Sequence, residues 1–240
     1  MQPSTDERPL QRHERFRVRV DHIGHSHSPV IVIDDFLDDP AQVVAWAASR
    51  TDYAARTRFY PGVSAPAPAR YVRTLRAHLE EIVRDTFGWK GEIEVPASKF
   101  SLVLTPPEKL LPVQRVPHVD VPDTNGLAVL HYLCSPRHGG TAFYRHRSTG
   151  YEVILAGQVD HYLRTIEEEV RVLGTPPPRY INGDTPLFEQ IARYDSVFNR
   201  VLIYSTAILH CAAIPADFVP DPNPRTGRLT VNSFFRQRVA

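Results

Sequence analysis

From Ile93 onward the chain is written in short apolar, β-rich runs, and this texture limits the possible folds more than any other feature. Phe100–Leu104, Leu127–Leu133, Thr141–Tyr144, Val201–Tyr204 and Leu229–Phe235 are separated by Pro, Gly, Asn and Asp. Such runs bounded by turn residues pair as antiparallel strands, because parallel pairing would need a long, usually helical, crossover between each pair. The expected core is therefore an antiparallel sandwich or barrel and not a parallel α/β sheet. A chain of 240 residues buries enough surface for one such core, so residues 1–240 are read as a single domain.

Upstream, Val30-Ile31-Val32-Ile33 reads as a short buried strand, and Asp38-Asp39-Pro40 reads as the start of a helix over Ala41–Ser49. Residues 53–69 are punctuated by prolines and read as loop. A second helix is expected from about Ala69 to Phe87, with Leu75, Leu79, Ile82 and Val83 at helical spacing and Gly88 stopping it. The stretch 160–197 interrupts the β pattern. It predicts one helix around Tyr162–Val172, a Pro176-Pro177-Pro178 loop and another helix near Leu187–Tyr194, a helical insertion serving as a lid or a dimer element. Residues 1–15 are polar and expected to be flexible. The class is mainly β with flanking helices, α+β.

A formal net charge of +1 gives no electrostatic reason for a nucleic-acid partner. No apolar run approaches the roughly 18 residues a membrane-spanning helix needs, and Met1–Arg19 lacks the apolar centre of a signal peptide. Cys134 and Cys211 are too few for a disulfide framework. These features together predict a cytoplasmic protein with reduced thiols and a small-molecule partner.

Candidate chemistry begins at His118-Val119-Asp120. In an extended chain, residues i and i+2 point to the same side, so imidazole and carboxylate converge. The triplet is common by chance, and the sequence holds another, His78-Leu79-Glu80. That one lies in the expected second helix, where i and i+2 diverge. His22, His25 and His27 have no carboxylate or thiol at a metal-binding spacing and read as a solvated loop or strand edge. Arg145, His146 and Arg147 read either as contacts to an anionic substrate or as a solvated basic edge. His131 and His161 are read as structural or exposed.

The surroundings of His118-x-Asp120 carry more information. After it come a turn at Asp123–Gly126, the strand ending His131-Tyr132-Leu133, the run Gly139-Gly140-Thr141-Ala142-Phe143, the strand Val201–Tyr204 leading to His210, and Gly227-Arg228-Leu229-Thr230 before the last strand. In this joint order the chain resembles the prolyl-hydroxylase-like branch of the iron(II)/2-oxoglutarate-dependent oxygenases over roughly residues 30–238. The opening Val32–Pro40 segment is similar as well. The resemblance implies a double-stranded β-helix (jelly-roll) core, with His118, Asp120 and His210 as a facial triad for Fe(II), catalytic and metal-binding alike. Such a triad leaves coordination places for 2-oxoglutarate and O2. It also implies that Arg228 holds the distal carboxylate of 2-oxoglutarate, aided by Thr230 and Tyr132, since a guanidinium fork suits a carboxylate. The intervals Phe143-to-His210 and His210-to-Arg228 are longer than usual, which leaves Arg225 as a rival anchor.

The implied reaction is hydroxylation of an unactivated C–H bond coupled to conversion of 2-oxoglutarate to succinate. Asp120, a carboxylate, implies hydroxylation and not halogenation, which needs that coordination place for chloride. The expected substrate is a small amino-acid-like or natural-product molecule, with a prolyl residue of a peptide as the alternative. From another class, the rival is a cupin-like jelly roll that binds a metal or ligand without oxidising anything. Arg228-x-Thr230 separates the two, because a binding module has no need of a buried carboxylate anchor there.

Overall fold

The computed structural model describes residues 8–55 and 57–238. Ten strands, β1 (Arg17–Ile23), β2 (Ser28–Asp34), β3 (Gly62–Pro66), β4 (Ile93–Val103), β5 (Gly126–Tyr132), β6 (Gly140–His146), β7 (Phe188–Asp195), β8 (Arg200–Ser205), β9 (His210–Ala213) and β10 (Leu229–Gln237), form two antiparallel sheets. The larger has the order β1-β2-β8-β5-β10-β4-β3 and the smaller β7-β6-β9. Three α-helices join them: α1 (Pro40–Ser49), α2 (Ala69–Phe87) and α3 (Val159–Leu173). The result is a mainly β, jelly-roll architecture.

Central strand β5 shows why the sheets are covered as they are. All seven of its residues are buried, because each face has its own cover. Leu127 and Val129 face one way, into a core that also holds Val43 and Ala47 of α1 and Tyr71, Leu75, Leu79 and Val83 of α2. Ala128, Leu130 and Tyr132 face the other way, toward Phe143 and Tyr194 of the small sheet. The stripe on α2 recurs at helical spacing, so one face is apolar and the other solvated. Replacing a residue such as Leu75 by Ala would cost about 2–5 kcal/mol. On the far side of the small sheet, Val159, Tyr162, Ile166 and Val170 of α3 cover Tyr144, Phe188 and Cys211.

The helix ends follow local chemistry. The Asp39 carboxylate accepts from the Gln42 amide at 3.2 Å, with Pro40 at the first turn. Gly88 closes α2 in the left-handed region, φ 67°.

Several expectations need correction. The segment near Leu187–Tyr194 is a strand, β7, and not a helix; the ladder Gly140↔Asp195 to His146↔Phe188 with β6 overrides its mixed local preferences. Within the stretch 160–197 only the part belonging to α3 (Val159–Leu173) is α-helical. The 53–69 loop contains β3, paired along β4 from Gly62↔Val103 to Pro66↔Lys99. Residues 8–15 are not loose: Leu10 is buried, its amide donates to Thr74 Oγ1 at 2.9 Å, and Arg12 bridges to Leu37. The rest of the expected flexible end lies outside the described residues. Among the described residues, no helix is long and apolar enough to cross a membrane.

Candidate metal centre

His118 and His210 are brought together by backbone before side chains enter. Each donates its amide to the other's carbonyl at 2.9 Å, an isolated antiparallel bridge that adds the His118 loop to the edge of β9. A directly opposed pair presents its side chains on one face, and the two ring centroids lie 4.5 Å apart. The Asp120 amide donates to the Thr206 carbonyl at 2.8 Å, which turns the carboxylate back toward the rings. His118 and Asp120 therefore sit in a loop held by this isolated two-bond bridge and by the Asp120–Thr206 bond, and not in a regular strand of the kind the extended-chain reading assumed.

The cluster is compact. His118 Nε2 lies 3.7 Å from Asp120 Oδ1, and His210 Nε2 lies 3.5 Å from Asp120 Oδ2. One donor atom from each residue lies within 4.8 Å of the others, so the three could hold a metal ion. His210 Nδ1 is 2.9 Å from the Ile208 carbonyl oxygen, which can only accept. The proton is therefore on Nδ1, and Nε2 keeps the lone pair a metal needs. Burial of the inner side of the ring, and next the His210 ring, lower His118 from its usual value while Asp120 opposes them, which favours the neutral form near pH 7. Metal binding requires that neutral form. His118 still leaves 48% of its side chain accessible against 7% for His210. The cluster thus has an open side, and the wall opposite is aromatic: Tyr204 lies 4.8 Å and Phe143 6.4 Å from the His210 ring, centroid to centroid.

Deeper in the barrel is a second polar centre. Arg228 is 3% exposed, just before β10. Its Nε donates to the His138 carbonyl at 3.1 Å and its Nη2 to the Gly140 carbonyl at 2.9 Å. Among the described ion pairs, none gives it a carboxylate. A buried cation is costly unless paired, so this guanidinium has charge left for an anion. Hydroxyls surround it. Thr230 and Tyr132 are opposite each other on β10 and β5. The Tyr132 hydroxyl is 2.6 Å from Thr141 Oγ1, and Thr230 Oγ1 donates to Asn232 Oδ1 at 2.7 Å. Burial raises the Tyr132 phenol, with Arg228 pulling against it.

The rival Arg225 is exposed, in a turn where its amide donates to Asn223 Oδ1 at 3.0 Å. Other sequence candidates also have local roles. His78 is 2.7 Å from the Leu10 carbonyl oxygen, and Glu80 pairs with Arg84 at 2.8 Å, so this His-x-Glu triplet forms no cluster. His22, His25 and His27 are exposed at the end of β1 and its turn. Arg145, His146 and Arg147 fit neither expectation as a group. Arg145 joins Glu152 and Glu189, buried His146 joins Thr149 and Glu169, and only Arg147, paired with Asp184, is exposed. His161 is exposed, 6.0 Å from the Tyr151 ring, centroid to centroid.

Sequence reasoning missed Thr141 and Tyr204. Thr141 stood inside the recognised Gly-Gly run, and Tyr204 ended a recognised strand, but only sheet packing shows what their side chains face. A cavity of about 380 Å³ opens between Val116 and the 173–188 connection. Its lining includes neither the three clustered residues nor Arg228, so it is a separate feature.

Solved structures share this fold. HygX from Streptomyces hygroscopicus with nickel, 2-oxoglutarate and hygromycin B bound superposes with a TM-score of 0.54 at 13% identity, covering 88% of this chain and 83% of that one. HygX with nickel and 2-oxoglutarate gives 0.52 at 13% identity, and HygX with iron gives 0.50 at 14%, covering 88% of this chain and 83% and 82% of those chains. At that identity the likeness establishes the jelly-roll fold alone. No curated protein matches the sequence. A family model does, along residues 14–235, and the chain belongs to that family, DUF6445, a family of unknown function.

Proposed function

We propose that this protein is a mononuclear iron(II), 2-oxoglutarate-dependent oxygenase that hydroxylates a small amino-acid-like or natural-product substrate. The observation that carries the reading is the buried Arg228 guanidinium without a carboxylate, in the same barrel as the His118-Asp120-His210 cluster. One donor set suits a divalent metal and the other suits an anion, which is the pairing a chelating dicarboxylate requires. Iron(II) and 2-oxoglutarate, when bound, would supply the electrons that activate O2, one oxygen atom ending in succinate, with loss of CO2, and the other in the hydroxylated C–H position of the substrate.

Each residue then has a defined task. His210 is oriented by its Nδ1 bond to Ile208 and offers Nε2; Asp120 and His118 complete the donor set from the open side. Arg228, itself steadied by two carbonyls, holds the far carboxylate. Phe143 and Tyr204 wall the site and exclude water. The substrate approaches where His118 and Asp120 remain accessible. HygX, which shares the fold, has been solved with hygromycin B bound, and this supports a small-molecule substrate. A cupin-like binding role leaves the unpaired Arg228 unexplained.

Anaerobic addition of Fe(II) and 2-oxoglutarate should produce the weak visible charge-transfer band of the chelate. His210→Ala should lose that band and 2-oxoglutarate turnover while keeping the β-type circular dichroism of the parent. Normal turnover by His210→Ala would show that the triad is wrong.

A further inference from the structure

Tyr60 lies in the connection between α1 and β3, outside every strand of the barrel. Its hydroxyl is nevertheless buried. Among the described residues, it is the one buried side-chain polar atom without a hydrogen-bond partner. Native proteins rarely leave such a group unsatisfied, since it gives up water and gains nothing. Around it are the hydroxyls of Ser101 and Thr230, opposite each other on β4 and β10, and the charge of Arg228, two residues before Thr230 at the same end of the sheet where the segment after Tyr60 pairs with β4. The nearby alternatives are already engaged: Tyr132 with Thr141, and Thr230 with Asn232.

Burial pushes the Tyr60 phenol up to about 12, and Arg228 pulls it back only in part. Near pH 7 it is therefore an O–H donor. An unpaired buried cation beside an unpaired buried donor is complementary to one kind of group, an anion with two acceptor oxygens. Building on the reading of Arg228 as the 2-oxoglutarate anchor, we propose that Tyr60 is the second anchor of the distal carboxylate, donating its hydroxyl hydrogen to one carboxylate oxygen. In this assignment Tyr60 takes the place that the family resemblance implied for Tyr132. It also makes the ligand join the α1–β3 connection to the barrel, so that a segment outside the sheets contributes to selection of a five-carbon dicarboxylate.

The test compares two ligands on the anaerobic Fe(II) protein, 2-oxoglutarate and pyruvate, which shares the 2-oxo acid head but lacks the distal carboxylate. In Tyr60→Phe the Kd for 2-oxoglutarate should rise about 10- to 100-fold, the range for one hydrogen bond to a charged group. The Kd for pyruvate should stay within about twofold. Ligand-free Tyr60→Phe should melt at or above the parent temperature, because the oxygen removed has no partner to lose. An unchanged 2-oxoglutarate Kd, equal weakening of both ligands, or a lower ligand-free melting temperature would each overturn the assignment. Absence of the chelate band in the parent protein would defeat the oxygenase reading and this proposal together. A normal parent with an unaffected variant defeats the Tyr60 assignment alone.

Discussion

Arg225 and Arg228 are three residues apart, yet their surroundings give them opposite prospects as ligands. Arg228 is 3% exposed and fixed by two carbonyls, while Arg225 is an exposed turn residue. A hydrogen bond to a charged group contributes about 1.5–3 kcal/mol, and losing a whole guanidinium contact removes more than one. Arg228→Ala should therefore raise the apparent KM for 2-oxoglutarate by more than about 100-fold. Arg228→Lys should fall between this variant and the parent, because the charge survives without the fork. Arg225→Ala should stay within about threefold. Steady-state kinetics against 2-oxoglutarate would check the series, and a large effect at Arg225 with a small one at Arg228 would reverse the assignment. The two arginines were already distinguishable as rivals in the sequence; burial separates them.

At the scale of an element, β6 and the Gly139-Gly140 turn before it link fold to site. Gly139 has φ 90°, a conformation that side chains rarely adopt. A Cβ on Gly140 would lie 2.0 Å from the Tyr194 carbonyl oxygen, so β6 and β7 could not close as they do. The carbonyl of the same residue receives Arg228 Nη2. Gly140→Ala should thus lower stability and weaken 2-oxoglutarate binding together. Overpacking of this kind costs about 1–3 kcal/mol, roughly a 2–12 °C fall in Tm for a chain of this size. Calorimetry and ligand titration on one preparation would show both effects; a lost Tm with parent-like ligand affinity would break the link. The glycine pair was legible as a turn, but its neighbour β7 was read as a helix. Its eight residues alone could not reveal the ladder with β6, because the pairing partners lie 42 (His146↔Phe188) to 55 (Gly140↔Asp195) residues apart.

At the scale of the whole molecule, His131 ties the helical layer to the large sheet. It is fully buried in β5, 2.9 Å from the Tyr71 hydroxyl of α2 and 3.2 Å from Asn199 Oδ1. Asn199 in turn binds both backbone groups of Leu37, ahead of α1. Because the Asn199 oxygen only accepts, Nε2 carries the proton and Nδ1 accepts from Tyr71; the neutral ring is fully satisfied. Burial holds His131 down to about 4 against an ordinary value of 6.5, with Asn199 opposing. A depressed folded-state pKa means that the unfolded chain binds the proton first. The stabilisation is complete above pH 6.5 and is lost as pH falls toward about 4. Its size is on the order of 3 kcal/mol. His131→Gln should be less stable near neutrality by about 1–3 kcal/mol but show a shallower fall across that window. Denaturant unfolding at a series of pH values would test this, and parallel slopes for parent and variant would count against it.

What the sequence by itself determined follows from local physics. Short β-rich runs bounded by turn residues specified an antiparallel β core, because such runs can pair without the long crossovers that parallel strands need. Capping and spacing specified α1 and α2 almost to the residue, since helix hydrogen bonds and caps are local. The order His118-Asp120, His210 and Arg228 was likewise readable as a set. The meeting of the two histidines depended on the two-way backbone bridge between them. Only the tertiary structure decided that Leu187–Tyr194 pairs as a strand, that residues 8–15 are docked, that Tyr132 is engaged with Thr141, and that the Tyr60 hydroxyl lies buried beside Arg228. These are contacts between distant segments, and a hydroxyl's burial or partner is set by what packs across from it and not by its own neighbours in the chain.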